Sequence, residues 1–256
     1  MNSVFLSLEN IFMNQKIIID VGNTRVKYAV FQGEEMISFF TSPNPDLEII
    51  NKLLKKFPQI HSGILSSVKT FPKDIEDILT ARCFFIQLGE KTPLPFYNKY
   101  QTPETLGNDR LAIAAFSQHF FPDKNVLAIS AGTTITYDFI NQNREYLGGN
   151  ISPGLQMRLK ALHQFTEKLP LIYLKDLDYL IGTSTETSIL SGVLNGAAEE
   201  IAGIIEQYKK QFEGLKIILG GGDYKYFDKR LKNNIFASPN IVLEGLKVIL
   251  DFNEKN

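Results

Sequence analysis

The chain has 256 residues, a formal net charge of −1 and 44% hydrophobic residues, enough apolar material for one large core or two modest ones. No stretch concentrates Lys and Arg with interleaved aromatics, which argues against a nucleic-acid or anionic-membrane surface and for a small substrate. A single cysteine, Cys83, excludes an internal disulfide and suits a reducing cytoplasm, and neither a bilayer-long apolar run nor a secretory leader is evident.

Segment 1–12 precedes a second methionine, Met13, and adds nothing the following motif needs; it is read as an upstream-start extension without function. Strands are predicted near 16–21, 25–31 and 35–40, joined by short turns that include Gln32-Gly33. A helix is expected over 46–57, with Pro45 at its start and Leu47, Ile50, Leu53 and Leu54 at helical spacing. A strand at 60–66, a helix after Pro72 and a strand at 83–87 follow, and the Pro- and aromatic-rich segment 89–100 reads as an ordered loop. A helix is predicted from Asn108 to about Phe120, with a domain seam at 122–125.

The second half repeats the scheme: strands near 126–130, 134–140 and 146–151, then helical material from Pro153. A long helix over 185–208 carries the small residues Ser191, Gly192, Gly196 and Ala197 on its surface, where they permit close packing. A strand at 215–219, a Gly220-Gly221-Gly222 turn and a last helix through 242–250 complete the chain. Three strands followed by alternating helices and strands, occurring twice, predict an α/β fold with a duplicated ribonuclease-H-like core. This is the two-domain architecture of the actin, sugar-kinase and heat-shock ATPase group, with domains at 13–124 and 125–256 and ATP in the interdomain cleft.

Two hairpins carry phosphate signatures. In Asp20-Val21-Gly22-Asn23-Thr24-Arg25-Val26-Lys27, an aspartate ends one strand and a lysine lies on the next, so a hydrated magnesium, the lysine and the turn amides can face phosphate oxygens. The same residues also fit an ordinary hairpin in which Gly and Asn supply the turn. The second run, Ser130-Ala131-Gly132-Thr133-Thr134, repeats the pattern and favours phosphate binding. In Gly107-Asn108-Asp109-Arg110, Asp109 can accept a proton from an alcohol and Arg110 can bind a carboxylate or amide, although Asp109 also suits a helix N-cap and Arg110 a surface charge. The triple glycine is as easily a tight turn as a place where backbone approaches a nucleotide. His61, His119 and His163 have no partners at ligand spacing, so no zinc site is predicted.

With these motifs in order, the chain resembles the type III pantothenate kinases over nearly its whole length from Met13. The resemblance rests on Asp20, Gly22, Asn23, Thr24 and Lys27; on Tyr100, Pro103, Gly107, Asp109 and Arg110; on the run Gly148 to Gly154 with Leu169-Pro170; and on Gly182, Thr185 and Gly192. It implies transfer of the γ-phosphate of ATP to the primary alcohol of pantothenate, the first step toward coenzyme A, by a magnesium-dependent cytoplasmic homodimer. Asp20 to Lys27 and Thr133 would handle ATP, Asp109 would take the proton, and Tyr100, Gly107, Asn108, Asp109, Arg110 and Thr185 would bind pantothenate. The family places an aspartate for a monovalent cation, potassium or ammonium, where this chain has Ser130, so that site is weakened or relocated here. Two competing readings are a non-catalytic nucleotide-binding regulator and a kinase of the same fold for another small alcohol.

Overall fold

The computed structural model describes residues 14–231 and 235–255, so segment 1–12 lies outside the described residues. Strand β1 (Gln15–Val21) is buried along almost its whole length because it is the centre of a sheet. It pairs antiparallel with β2 (Val26–Gln32) on one side and parallel with β4 (Ile60–Ser67) on the other. Adding β3 (Glu35–Ser42) and β5 (Phe84–Gln87) gives the order β3-β2-β1-β4-β5. A central strand covered on both faces reads as a continuous apolar run, which is why Ile17-Ile18-Ile19 carries no alternation.

Helix α1 (Leu47–Lys56) turns Ile50, Leu53 and Leu54 into the core. Its cap is Asp46, whose Oδ1 accepts the Glu48 N–H at 2.8 Å, one residue after the proline expected to open it. Helix α2 (Lys73–Arg82) follows Pro72 as predicted. Cys83 closes α2 instead of opening β5, and burial raises its half-buried thiol to about 11, as suits an inert sulfur.

The second sheet runs β11-β10-β7-β8-β9-β6. Strands β7 (Val126–Ala131), β8 (Thr134–Ile140) and β9 (Glu145–Pro153) are antiparallel, and β10 (Lys216–Gly220) and β11 (Ile235–Ser238) join β7 in parallel. Three antiparallel strands with two parallel strands beside the first is the arrangement of the first sheet again, a duplicated ribonuclease-H-like core. Strand β6 (Tyr97–Asn98) is added to the β9 edge, within the segment read as a loop; two residues are too short to leave a pattern. Strand β11 and the one-turn helix α6 (Lys225–Asp228) were likewise not anticipated.

Helix α3 spans Asn108–Phe120, α4 Leu155–Gln164, α5 Thr185–Gln211 and α7 Ile241–Asn253. By length and composition α5 is apolar enough to cross a membrane, contrary to the expectation that no such run exists. Its buried face, from Ile189 through Leu194 and Ile201 to Ile205, belongs to the core beneath the second sheet. Ser191 and Ala197 lie in that buried face, so of the four small residues expected on the surface only Gly192 and Gly196 are exposed.

The chain forms two compact units. One comprises the described residues up to Pro95, Thr102–Phe116 and the chain from Val242; the other comprises Phe96–Gln101 and Ser117–Ile241. The expected division at 124/125 differs from this chiefly in α7, which returns to the first unit. Gly245 lets α7 press on the backbone of α3, because a Cβ there would collide with the Ala112 carbonyl. Buried Lys247 ties the helix down through Glu34 (2.7 Å) and Asp251 (2.8 Å), and Lys16 at the start of β1 binds Asp251 at 2.6 Å.

Candidate active site

In the first unit, the β1–β2 register sets Asp20 opposite Lys27, with Nζ 3.6 Å from Oδ2. Val21 and Val26 close the strands with their side chains in the core, so only their backbone is available to a ligand. Between them the turn exposes Asn23, Thr24 and Arg25, and Gly22 donates its N–H to the Arg25 carbonyl at 3.1 Å. Lys69, which the sequence did not single out, reaches the Asn23 carbonyl at 3.4 Å. Asp20 is 7% exposed. Burial raises its carboxyl above the ordinary value, the nearby charge of Asp109 raises it further, and Lys27 opposes both. Asp20, Lys27 and Asp109 thus share one electrostatic site.

Asp109 reaches that site from the first turn of α3. A short 3-10 turn (Pro103–Thr105) and buried Leu106 lead into Gly107, and Asn108 anchors the helix start by donating to the Leu88 carbonyl at 3.2 Å. Asp109 stands one residue inside the helix, so it is not the N-cap; its Oδ1 accepts the Arg110 N–H at 3.0 Å. Gly107 leaves room for this carboxylate, since a Cβ there would lie 2.5 Å from Oδ1. Arg110 is 4% exposed, which rules out a solvated surface charge.

In the second unit, Gly132 and Thr133 close the β7–β8 hairpin, with the Gly132 N–H donating to the Thr134 carbonyl at 2.9 Å. Gly154 supports this turn from the end of β9: its N–H donates to the Thr133 carbonyl at 3.2 Å, and a Cβ would collide with the Gly132 and Thr133 carbonyls. Gly221, at φ +90°, lies against Ala131 in the same way, and the Asp223 N–H donates to the Ala131 carbonyl at 2.9 Å. The triple-glycine turn therefore buttresses the β7–β8 hairpin. Ser130, within β7, pairs with Thr136 and Gly220. Elsewhere in this unit the Tyr100 ring lies against Gly148, where a Cβ would meet it at 3.0 Å. Thr185 is the exposed first residue of α5; Ser184 caps that helix, and Gly182 lies so close that a Cβ would collide with the Ser188 backbone.

The type III pantothenate kinase family profile matches residues 16–207. Two relatives named type III pantothenate kinase are similar over nearly their whole length. That of Christiangramia forsetii is 48% identical, over 93% of this chain and 98% of the relative. That of Flavobacterium johnsoniae is 45% identical, over 90% and 95%. The chain belongs to the type III pantothenate kinase family. At the level of fold it is similar to the crystal structure of a conserved Baf family protein from Campylobacter jejuni, with a TM-score of 0.56 and 21% identity over 94% of this chain and 100% of the other.

For a pantothenate kinase, the residues that sequence reasoning missed are those supporting the named ones from a distance. Tyr146 lies behind Tyr100, ring centroids 6.2 Å apart, and its hydroxyl donates to Asp138 at 2.8 Å. Asp223 brings a carboxylate-bearing residue to the end of β7; burial raises its carboxyl and Lys225 opposes the shift. The signal for it was available, because it follows the glycine turn after a strand.

Proposed function

We propose that this enzyme carries the γ-phosphate of ATP to the primary alcohol of pantothenate, giving 4′-phosphopantothenate, with Asp109 taking the proton of the attacking hydroxyl. The observation that carries this reading is the shared field of Asp20, Lys27 and Asp109. In the first unit Asp20 faces Lys27 at 3.6 Å and feels the charge of Asp109, a grouping that suits the charge balance and hydroxyl orientation of phosphoryl transfer. The hairpin from Asp20 to Lys27, including Asn23, Thr24 and Arg25, handles ATP, as does Thr133 of the second unit. Pantothenate recognition falls to Gly107, Asn108, Asp109 and Arg110 of the first unit and to Tyr100 and Thr185 of the second. Release of ADP, measured with pantothenate, with common sugars and with no acceptor, tests the assignment. Turnover restricted to pantothenate is expected; equal turnover on sugars, or none at all, would overturn it.

Magnesium fits Asp20. Its carboxylate is buried and only partly offset by Lys27, so it favours a cation, and no group of three or more potential metal ligands exists among the described residues. An ion held by one carboxylate would keep water and phosphate oxygens as its other ligands. Bound there, magnesium would neutralise phosphate charge, while Lys27 and the turn amides of Gly22 to Arg25 orient the phosphates.

Ser130 does not fit a monovalent cation in the same way, because a neutral hydroxyl gives little Coulombic reason to strip potassium of its water. Rates compared at matched ionic strength in potassium, ammonium, sodium and a bulky organic cation should differ by less than about twofold, given that weak attraction. Ser130→Asp should introduce cation dependence. Strong saturable activation of the wild type would show that other oxygens rebuild the site.

The active form in this reading is a cytoplasmic homodimer paired through α5. In support, Gly192 and Gly196 have open space at their Cα atoms, and a groove of about 740 Å³ lies between α4 and α5, lined mainly by apolar atoms. Phe165 on that groove is 81% exposed and Leu180 and Ile181 nearly as much, a cost in water that a second subunit removes. Gly196→Trp should therefore abolish dimer and activity together, read by light scattering and turnover on one sample. An active, stable monomer would contradict the pairing.

A further inference from the structure

The second unit contains a polar cluster that none of the kinase roles above uses. Glu200, midway along α5, accepts hydrogen bonds from three elements: Tyr137 Oη of β8 at 3.2 Å, Ser152 Oγ of β9 at 2.6 Å and Arg158 Nη2 of α4 at 2.6 Å. Arg158 uses its Nε to hold the Pro153 carbonyl at 2.8 Å. The next residue is Gly154, whose N–H supports Thr133 and whose missing side chain admits the Gly132–Thr133 turn. One carboxylate thus grips Ser152 directly and Pro153 through Arg158, immediately before the glycine on which the phosphate turn rests.

The chemistry suits a rigid brace. Burial alone would raise the Glu200 carboxyl, but the Ser152 and Arg158 donors outweigh it and hold the group below its ordinary value. Tyr137 is shifted upward, first by burial and then by the Glu200 charge, so it remains a neutral donor. A charge-assisted Arg–carboxylate contact is directional, and Arg158 spends a second donor on backbone, which turns the pair into a fixed strut.

We infer that Glu200 and Arg158 are positioning residues for ATP, setting the Gly132–Thr133 turn through Ser152, Pro153 and Gly154. The inference rests on the reading that this turn handles ATP. It also makes α5, the helix proposed to pair subunits, a support of the nucleotide site.

Glu200→Gln keeps size and an acceptor for Ser152 but loses the charge that holds Arg158; Arg158→Met keeps the stem and loses both donors. Since a misplacement of about 1 Å at a site costs about a hundredfold, a partial loosening should raise the KM for ATP roughly tenfold in each variant, with the KM for pantothenate changed less than about twofold. Because the two substitutions break one strut, the double variant should resemble either single one instead of multiplying their effects. Melting temperature is measured on each, and Arg158→Met, changing a side chain 22% exposed, provides a folded sample if Glu200→Gln does not. Thr133→Ala is run beside them. A raised KM for ATP in Thr133→Ala with no change in the strut variants overturns this inference alone; no change in Thr133→Ala overturns the reading of the turn and this inference with it. Equal losses on both substrates, or multiplied effects in the double variant, also overturn it.

Discussion

Asp109→Asn lowers turnover by about two to four orders of magnitude, the usual worth of a positioned general base, while nucleotide binding and melting temperature stay near those of the wild type. An amide cannot take a proton from the attacking hydroxyl. It can, however, keep the one hydrogen bond by which Asp109 serves its own helix, the Arg110 N–H at 3.0 Å, because asparagine retains an Oδ1 acceptor. Since Asp109 lies one residue inside α3, the substitution does not remove a cap either. Asparagine also relieves Asp20 of a like charge, which should leave the first unit no less stable. Phosphoryl transfer passes through a loose transition state, so part of the lost rate reflects orientation of the alcohol as well as removal of its proton. Turnover, nucleotide binding and thermal unfolding are measured on one preparation. A folded variant that binds nucleotide and turns over near the wild-type rate would remove Asp109 from the chemistry.

The parts of the fold legible in the sequence are those whose cause is local. The runs in β1 and β7, the tight turns after them and the apolar face of α1 each follow from a few neighbouring residues, and the duplication was visible as the same order of elements twice. The 3-10 turn before α3 hides the distinction between a cap and a first-turn residue in the sequence, and it is the start of the helix at Asn108 that places Asp109 inside it. What was not legible depends on distant partners. Strand β11 has four residues and exists because Ile217 to Gly220 offers it a parallel edge. Helix α7 follows β11 in sequence yet belongs to the first unit, through Gly245 against Ala112 and Lys247 with Glu34, pairs more than a hundred residues apart. Nothing in the residues around Glu200 sets it apart, and its role comes from Tyr137, Ser152 and Arg158. For Arg110 the alternative of a surface charge stayed open beside that of a ligand-binding group, because the residues beside it give no hint of its burial.

Asp20→Asn should separate stability from function at the same site. Burial lifts the Asp20 carboxyl above its ordinary 3.8, the Asp109 charge adds to the shift, and Lys27 only partly opposes it. With a folded value above the unfolded one, the folded protein binds more protons than the unfolded chain between the two. Stability therefore falls as pH rises from the ordinary carboxylate range through the raised value, and the loss persists at neutral pH. Asparagine carries no charge and removes this dependence. The variant is expected to melt no lower than the wild type at neutral pH, with any advantage vanishing in acid, where Asp20 is protonated in both states. Lys27 loses a partner, but its side chain is 36% exposed and stays hydrated, so little is lost there. Turnover should fall by about two to three orders of magnitude, as for other groups that stabilise transferring charge, and stabilisation by ATP with magnesium should shrink. An inactive variant that melts as high as the wild type marks Asp20 as a charge kept for the reaction at the expense of the resting fold. A variant that melts markedly lower at neutral pH would instead make Asp20 a structural partner of Lys27, and one with unchanged turnover would take it out of the phosphate site.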